Sequence, residues 1–365
     1  MISILTATYN RANLLRTRIA STLNQTYKDF ELVIIDDFSN DNTEDVVKSF
    51  NDKRIKYFKM QKNIGSLYGD RYHINNFIYN IAKGEYFIYA PDDDYWPDTN
   101  FLENCINFFV KYPTIQMTMG SQITEFYENE KTLKIFNKIE INEIIKNKDE
   151  KFFFFGKLLP ETGFYNKKTF IKEFSHKPTT FNISVSATIF KMKGLKEIKY
   201  LQHKTPSKWQ AGYELILPNL FLGDIYFINE PCAVVRAHKN NASFTSSQVA
   251  HYKDSLLSIN NAFSIAPYSE FNDLKKIKKR FISSLSQAYL HNSIQIFKNN
   301  ELTYCSNDNI ANYVTITNVV TEYFKNKIFL NLMDIRFIAQ YIFYKILKYY
   351  PRLFLEKIIN KPKLK

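Results

Sequence analysis

Apolar runs alternate with helical patterns along the first 90 residues of the chain. The apolar runs are "ISILTAT", "FELVIID", "RIKYFKM" and "EYFIYA". In the segment between the first two, Leu14, Leu15, Ile19 and Leu23 fall on one face of a helix. Continuous apolar runs are typical of strands buried on both faces of a parallel sheet. The alternation therefore predicts an α/β fold with a mostly parallel sheet and right-handed crossovers.

The pattern changes twice further along the chain. A helical stretch runs to Lys83, and Gly84 is expected to cap it. After an irregular segment, 122–208, "WQAGYELILPNLFLG" predicts a helix kinked at Pro218, and "DIYFINEPCAVVRAH" predicts a strand. Beyond Ser246 the chain becomes basic and mainly helical. We place a domain boundary near residue 245.

Composition and charge narrow the class of protein only partly. The formal net charge of +13 suits nucleic acid, an anionic membrane surface or a phosphorylated substrate. The chain is rich in Lys, Asn, Ile, Phe and Tyr, so part of its positive charge follows from this general bias in composition. No nucleic-acid-binding motif accompanies the charge, so we expect no nucleic-acid partner. A strand pattern begins directly after Met1, and no run of about 18 apolar residues occurs, which predicts a cytoplasmic protein.

Carboxylates follow two of the predicted strands. Asp36 and Asp37 end the second strand, and Asp92, Asp93 and Asp94 follow the fourth. Ligands of open α/β sheets bind beyond the carboxyl ends of the strands. Mg²⁺ and Mn²⁺ commonly take one or two carboxylates plus substrate phosphates, so the triplet predicts a divalent-cation site. The alternative is that these carboxylates cap the helices that follow them.

The first strand ends in side chains suited to a nucleotide. Thr8, Tyr9, Asn10 and Arg11 offer hydroxyls, an amide and a guanidinium. The Tyr9 ring can stack on a base, and Arg11 can contact a phosphate bidentately. An Asp37 carboxylate can accept the N3–H of a pyrimidine. Strand ends are often polar, so this pattern taken alone is weak.

Four segments in order carry a family resemblance. They are "ISILTATYNRANLLRTRIASTLNQTYKDFELVIIDDFSNDNT", "NIG", "AKGEYFIYAPDDDYWPD" and "GYELILPNLFLGDIYFINEPCAVVRAHKNNAS". Together they resemble glycosyltransferase family 2 over about 1–245. The resemblance implies a GT-A fold with a nucleotide-sugar half of about 1–121 and an acceptor half of about 122–245. The remainder, 246–365, is then a helical extension.

The resemblance also implies a set of site residues and a cofactor. Asp92 and Asp94 supply a DxD motif for Mn²⁺ or Mg²⁺, and His238, with Arg236 nearby, matches a position close to the diphosphate. The implied nucleotide-sugar-binding residues are Thr8, Tyr9, Asn10, Arg11, Asp37, Asn63, Arg71, Asp92 and Asp93.

Three departures from the family pattern affect this assignment. Phe38 stands where glycine is common, and Asn75-Asn76 stands near the usual Arg-Asn pair, so Arg71 is assigned the phosphate-facing role. The expected catalytic Asp falls on Gly212, which leaves Glu214 as the nearest carboxylate and the candidate general base. The alternative is that Glu214 is an ordinary helix residue.

The implied function is that of an inverting, metal-dependent transferase of the hexosyltransferase type. It would move sugar from a nucleoside-diphosphate sugar, expected to be UDP-linked, to a glycan or lipid-linked acceptor in bacterial surface polysaccharide synthesis. The alternative is a catalytically impaired binding module of the same fold. The C-terminal "FIAQYIFYKILKYYPRLFLEKIINKPKLK" has the composition of an interfacial helix, which would place the protein peripherally on the inner face of the plasma membrane. A helix packed on the catalytic domain is the other interpretation.

Overall fold

A mixed β-sheet of nine strands forms the centre of the part of the chain that the structure describes. In this computed structural model the described residues are 1–65, 73–126, 134–149, 151–154, 160–176, 183–197, 211–237, 248–271 and 273–285. The strands are β1 (Ile2–Thr8), β2 (Phe30–Asp36), β3 (Ile55–Lys59), β4 (Tyr86–Tyr89), β5 (Ile115–Phe126), β6 (Phe152–Phe154), β7 (Gly163–Tyr165), β8 (Ile183–Lys191) and β9 (Asp224–Ala237). The α-helices are α1 (Ala12–Leu23), α2 (Thr43–Ser49), α3 (Phe101–Lys111), α4 (Lys138–Asn147), α5 (Lys167–His176), α6 (Met192–Glu197), α7 (Ala211–Asn219) and α8 (Gln248–Ser264). A π-helix covers Phe77–Ile81, and residues 274–285 are helical.

The first four strands form the parallel half of the sheet, in the order β3-β2-β1-β4. Each corresponds to one of the apolar runs, and α1 and α2 lie where the helical patterns predict them. Alternate side chains of a strand point to opposite faces, so Val33 and Ile35 enter one hydrophobic cluster while Leu32 and Ile34 enter another. Both faces of the sheet are therefore buried at β2, while β3 is a partly exposed edge strand.

The second half of the sheet is mixed. β8 pairs antiparallel with β4 and β5, while β5 and β9 run parallel, and β6 and β7 add short antiparallel edges. The predicted α/β class is confirmed, with the parallel pairs concentrated in the first half. Helix α7 ends at Asn219, one residue after Pro218, so the proline stands at the end of the helix.

Gly84 has a different role from the predicted helix cap. The π-helix is capped by Ala82, in an extended conformation. A Cβ on Gly84 would lie 2.6 Å from the backbone nitrogen of Ser3. The Gly84 amide donates to the Ser3 hydroxyl at 2.8 Å, and that hydroxyl donates to the buried Glu31 carboxylate at 2.5 Å. Glu31 also accepts from the Lys83 amide at 2.8 Å and from the Lys56 ammonium group. Glycine is needed here because two backbones approach closely.

The helices beyond residue 245 share a hydrophobic cluster with the sheet. Ile259 and Phe263 of α8 and Phe281 of the segment 274–285 are buried in the same cluster as Leu215 of α7. The predicted boundary at residue 245 and the C-terminal basic segment lie outside the described residues. The division of the chain at residue 245 remains a prediction.

Candidate functional site

The loops after β1 and β2 are tied together at the carboxyl end of the sheet. The Asp37 amide donates to the Thr8 carbonyl at 2.9 Å. The Asn10 amide donates to the Ser39 hydroxyl at 2.8 Å, and the Asn40 amide donates to the Asn10 side chain at 2.7 Å. These bonds join the two loops, residues 9–11 and 37–42, into one continuous edge, which we call the rim.

Two of the three triplet carboxylates contact the β1 loop. The Thr8 hydroxyl donates to Asp92 Oδ2 at 2.8 Å. Arg11 Nη1 lies 3.0 Å from Asp92 Oδ1 and 3.3 Å from Asp93 Oδ2. The structure therefore brings together four residues that the sequence assigned to one nucleotide-sugar site from positions more than 80 residues apart.

The backbone of Asp94 contacts a buried arginine, Arg18, that the sequence pattern was not used to identify. Arg18 of α1 is fully buried, and its Nε donates to the Asp94 carbonyl at 2.9 Å. Its guanidinium carbon lies 4.4 Å from the centroid of the Trp96 ring. A signal was present in the sequence, because Arg18 follows Leu14 and Leu15 at helical spacing and so places a charge on the apolar face of α1.

The triplet is electrostatically crowded despite these two arginines. Burial raises the pKa of Asp92 to about 6; the Arg11 charge opposes the rise, and Asp93 adds to it. Burial and then the Asp93 charge raise the pKa of Asp94 to about 8, while Arg18 opposes the rise. Burial, and then repulsion by Asp93, therefore disfavours the ionised forms of Asp92 and Asp94 in this structure.

The structure rules out helix capping as the role of these carboxylates. Helix α3 begins after Asn100, whose amide hydrogen-bonds Asp98 at 2.9 Å, so the triplet does not cap it. The N-cap residue of α2 is Asn42, so Asp36 and Asp37 do not cap that helix either. Asp36 instead accepts hydrogen bonds from the Ser39 amide, at 2.8 Å, and from a tyrosine hydroxyl of β3.

Asp37 holds the segment after β3 against the rim. Its two carboxylate oxygens accept the amides of Ile64 and Gly65 at 2.8 and 2.6 Å. The Asn63 side-chain amide donates to the Asp37 carbonyl at 3.0 Å, so in this structure Asn63 braces Asp37. His73 Nε2 is 4.0 Å from Asp37 Oδ1, and no spacing in the sequence pointed to it. Arg71 lies outside the described residues.

The remaining predicted residues divide into buried and undescribed ones. Glu214 lies in the first turn of α7 with only 2% of its surface exposed. Arg236 is fully buried, and its Nε lies 3.2 Å from Glu125 Oε2 while its guanidinium stacks over Tyr95 at 4.5 Å. Arg236 therefore contacts protein groups, and the phosphate-binding role suggested for it is not supported. His238 lies outside the described residues.

Comparison of the sequence with known proteins identifies relatives of this chain. The sequence model described as "Glycosyl transferase family 2" matches residues 3–198. The chain is 37% identical over 108 residues to an Escherichia coli UDP-Glc:alpha-D-GlcNAc-diphosphoundecaprenol beta-1,3-glucosyltransferase, covering 30% of this chain and 41% of that one. It is 38% identical over 95 residues to a Campylobacter jejuni GalNAc(5)-diNAcBac-PP-undecaprenol beta-1,3-glucosyltransferase, covering 26% of this chain and 29% of that one. The chain thus spans less than half the length of either relative.

A solved structure extends the likeness of fold. The crystal structure of S. aureus TarS 1–349 in complex with UDP-GlcNAc superposes with a TM-score of 0.57 at 15% identity, covering 89% of this chain and 81% of that one. At this identity the likeness concerns the fold alone, and it agrees with the predicted GT-A architecture. Since the family model covers more than half of the chain, the chain belongs to glycosyltransferase family 2.

Proposed function

We propose that this glycosyltransferase moves a sugar from a UDP-sugar to a hydroxyl of a lipid-linked glycan, with inversion at the anomeric carbon. The observation that carries the proposal is the joining of Thr8 and Arg11 to Asp92 and Asp93 at the strand ends. The names of the E. coli and C. jejuni relatives describe acceptors linked to diphosphoundecaprenol, which supports this class of acceptor.

The rim supplies the groups that would bind the donor. Tyr9 is 44% exposed, so its ring is available for stacking on a base. Asp37 is fixed by two backbone amides, and each oxygen retains a lone pair for a base N–H. Arg11 is partly exposed beside the triplet, where its guanidinium can contact a phosphate.

The triplet has the donor chemistry of a Mg²⁺ or Mn²⁺ site. Within the described residues, no three carboxylate, imidazole or thiol groups converge in a metal-holding arrangement. These ions commonly take one or two protein carboxylates and complete their shell with phosphate and water, so the triplet fits. Asp92 and Asp94 would hold the ion, with Asp93 and His238 as further candidates. When bound, the ion would stabilise the negative charge of the departing diphosphate.

Glu214 is the proposed general base. Its helix, α7, packs against β8, and the carbonyl of Ser186 in β8 accepts a hydrogen bond from the indole of Trp96 at 2.6 Å. The helix of Glu214 and the segment that follows the triplet thus both contact β8, which supports the proposal. Glu214 would take the proton of the acceptor hydroxyl while the hydroxyl oxygen attacks C1. The bond from C1 to the phosphate oxygen breaks, and its electron pair leaves with UDP.

A donor screen tests the proposal. The protein is incubated with a panel of nucleoside-diphosphate sugars and a diphosphate-linked lipid acceptor, with Mn²⁺ or with EDTA, and nucleotide release is measured. We expect release from UDP-sugars that requires the cation and falls at least about 100-fold in Glu214→Gln and Asp94→Asn. Glu44→Gln and Asp45→Asn, both on the surface of α2, serve as matched controls and should behave as wild type.

Gly212, at the usual position of the catalytic Asp, is the one feature that favours the alternative of a binding module. Binding of UDP-sugars without turnover for every donor and acceptor would support that alternative. Nucleotide release that is unchanged in EDTA would contradict the proposed requirement for a cation. Nucleotide release at the wild-type rate by Glu214→Gln would contradict the role of Glu214 as the general base.

Peripheral membrane attachment is proposed from the C-terminal sequence. Among the described residues, no helix is both long and apolar enough to cross a bilayer. Basic residues near an anionic leaflet contribute about 1 kcal/mol each, so several lysines on one segment suffice for attachment. Flotation with anionic liposomes should carry the full chain upward more than a chain ending at residue 330. Equal flotation would contradict attachment through this segment.

A further inference from the structure

Phe38 combines a strained backbone with an exposed aromatic ring. Its φ of 70° lies in the left-handed region that glycine adopts without steric cost. The ring is 40% exposed, so the strain is not offset by full burial in a core. A large residue is kept in such a conformation where the surrounding structure determines it, and such residues are concentrated at functional sites.

Hydrogen bonds on both sides of Phe38 determine its position. The preceding residue, Asp37, donates its amide to the Thr8 carbonyl at 2.9 Å. The following residue, Ser39, donates its amide to Asp36 at 2.8 Å and accepts from the Asn10 amide at 2.8 Å. Phe38 therefore has little freedom to relieve its strain, and its side chain is held at the rim.

The rim carries a second exposed aromatic ring, that of Tyr9. β1 and β2 are parallel with Thr8 opposite Asp36, so the residues that follow these two lie on adjacent loops. Neither the Tyr9 ring nor the Phe38 ring stacks on another aromatic ring within the described residues. Asp37, the proposed partner of the base N–H, immediately precedes Phe38 in the chain. Two aromatic residues and one carboxylate therefore belong to the same rim.

We propose that Phe38 is a base-contacting residue, whose ring packs with Tyr9 against the nucleobase of the donor. The inference rests on the proposed function, because it needs a nucleotide at this rim. Stacking on an aromatic ring is a favourable and sequence-tolerant way to hold a base. A contact between Phe38 and the base would explain why an aromatic residue stands at a position whose backbone conformation favours glycine.

The test compares two probes, UDP and inorganic pyrophosphate, each titrated with Mn²⁺ into the full chain. Pyrophosphate has the charged part of the nucleotide and lacks the base. In Phe38→Gly we expect UDP to bind about tenfold more weakly, which corresponds to about 1.4 kcal/mol, while pyrophosphate binding stays at the wild-type level. Thermal stability should be unchanged or higher, because glycine removes the left-handed strain. Phe38→Tyr should restore UDP binding, since it retains an aromatic ring.

Phe58→Gly serves as the control, because Phe58 is 46% exposed on β3 and has no part in the proposed site. It should leave both affinities unchanged. Equal weakening of UDP and pyrophosphate in Phe38→Gly would indicate a merely structural role and overturn the inference. Wild-type UDP binding by Phe38→Gly would overturn it as well, without affecting the proposed function. A wild-type chain that binds neither probe would overturn the proposed function, and the inference with it.

Discussion

Asp37→Asn tests whether one carboxylate both organises the rim and binds the base. The Asp37 carboxylate is buried and accepts two backbone amides, at 2.8 and 2.6 Å. Hydrogen bonds to a charged group typically contribute about 1.5–3 kcal/mol each. Asparagine keeps one carbonyl acceptor, but its NH₂ group faces the amide of Ile64 or Gly65 and leaves that amide unpaired. We therefore expect the free energy of unfolding to fall by about 2–3 kcal/mol.

The same substitution should weaken UDP binding by about tenfold, because a neutral amide replaces a charged acceptor for the base. Urea denaturation followed by circular dichroism gives the stability change, and calorimetric titration gives the affinity. Asp45→Asn is the matched control: Asp45 is exposed in the first turn of α2, where the loss of a surface charge should change stability by less than about 1 kcal/mol. Should Asp37→Asn unfold within about 0.5 kcal/mol of wild type and bind UDP equally well, the assigned role of Asp37 is wrong.

Three further substitutions test the packing and the charges around the site. Gly84→Ala places a Cβ 2.6 Å from the Ser3 backbone and should lower the free energy of unfolding by about 1–3 kcal/mol. A Cβ at Gly163 meets no atom within 4 Å, so Gly163→Ala, the control, should leave stability nearly unchanged. Equal effects of the two substitutions would contradict the close approach at Gly84. Arg18→Met removes a buried charge beside three aspartates and should lower the free energy of unfolding, measured by urea denaturation, by about 3–5 kcal/mol. A variant as stable as wild type would show that Arg18 does not balance the charge of these aspartates. Burial raises the pKa of Glu31, but its hydrogen bonds lower that pKa by more, so it lies below its ordinary value of 4.5. The stabilisation by Glu31 is therefore present above pH 4.5 and lost as the pH falls through the lowered pKa; Glu31→Gln should be less stable at pH 7 and lose less stability on acidification, and parallel stability–pH curves would contradict this.

The parallel half of the fold could be predicted because its signals are local. Each of its strands lies in a short run rich in apolar residues, and helical spacing places Leu14, Leu15 and Ile19 on one face of α1, so period and length sufficed. The mixed half depends on pairings between distant segments, such as β5 with β9, and on short strands such as β6. Such pairings are chosen by tertiary packing, which a local pattern does not contain.

The candidate site was predictable where residues stand at strand ends. Thr8, Arg11 and Asp92 were expected at one edge of the sheet, and the structure places them in direct contact. The contact of Arg18 with the triplet was not expected, because it depends on how α1 packs against the segment that follows β4. His73 was also missed, since only the folded chain brings it within 4.0 Å of Asp37.

The helices that follow residue 245 set a lower limit on the length of chain that can fold independently. The Phe221 ring contacts the rings of Phe263 and Phe271, with centroids 5.2 and 5.7 Å apart. A recombinant protein ending at residue 245 would expose this aromatic surface to water, and exposed surfaces of this kind promote aggregation. Work on a shortened enzyme should therefore retain the chain through residue 285, even though the recognised family signature ends at residue 198.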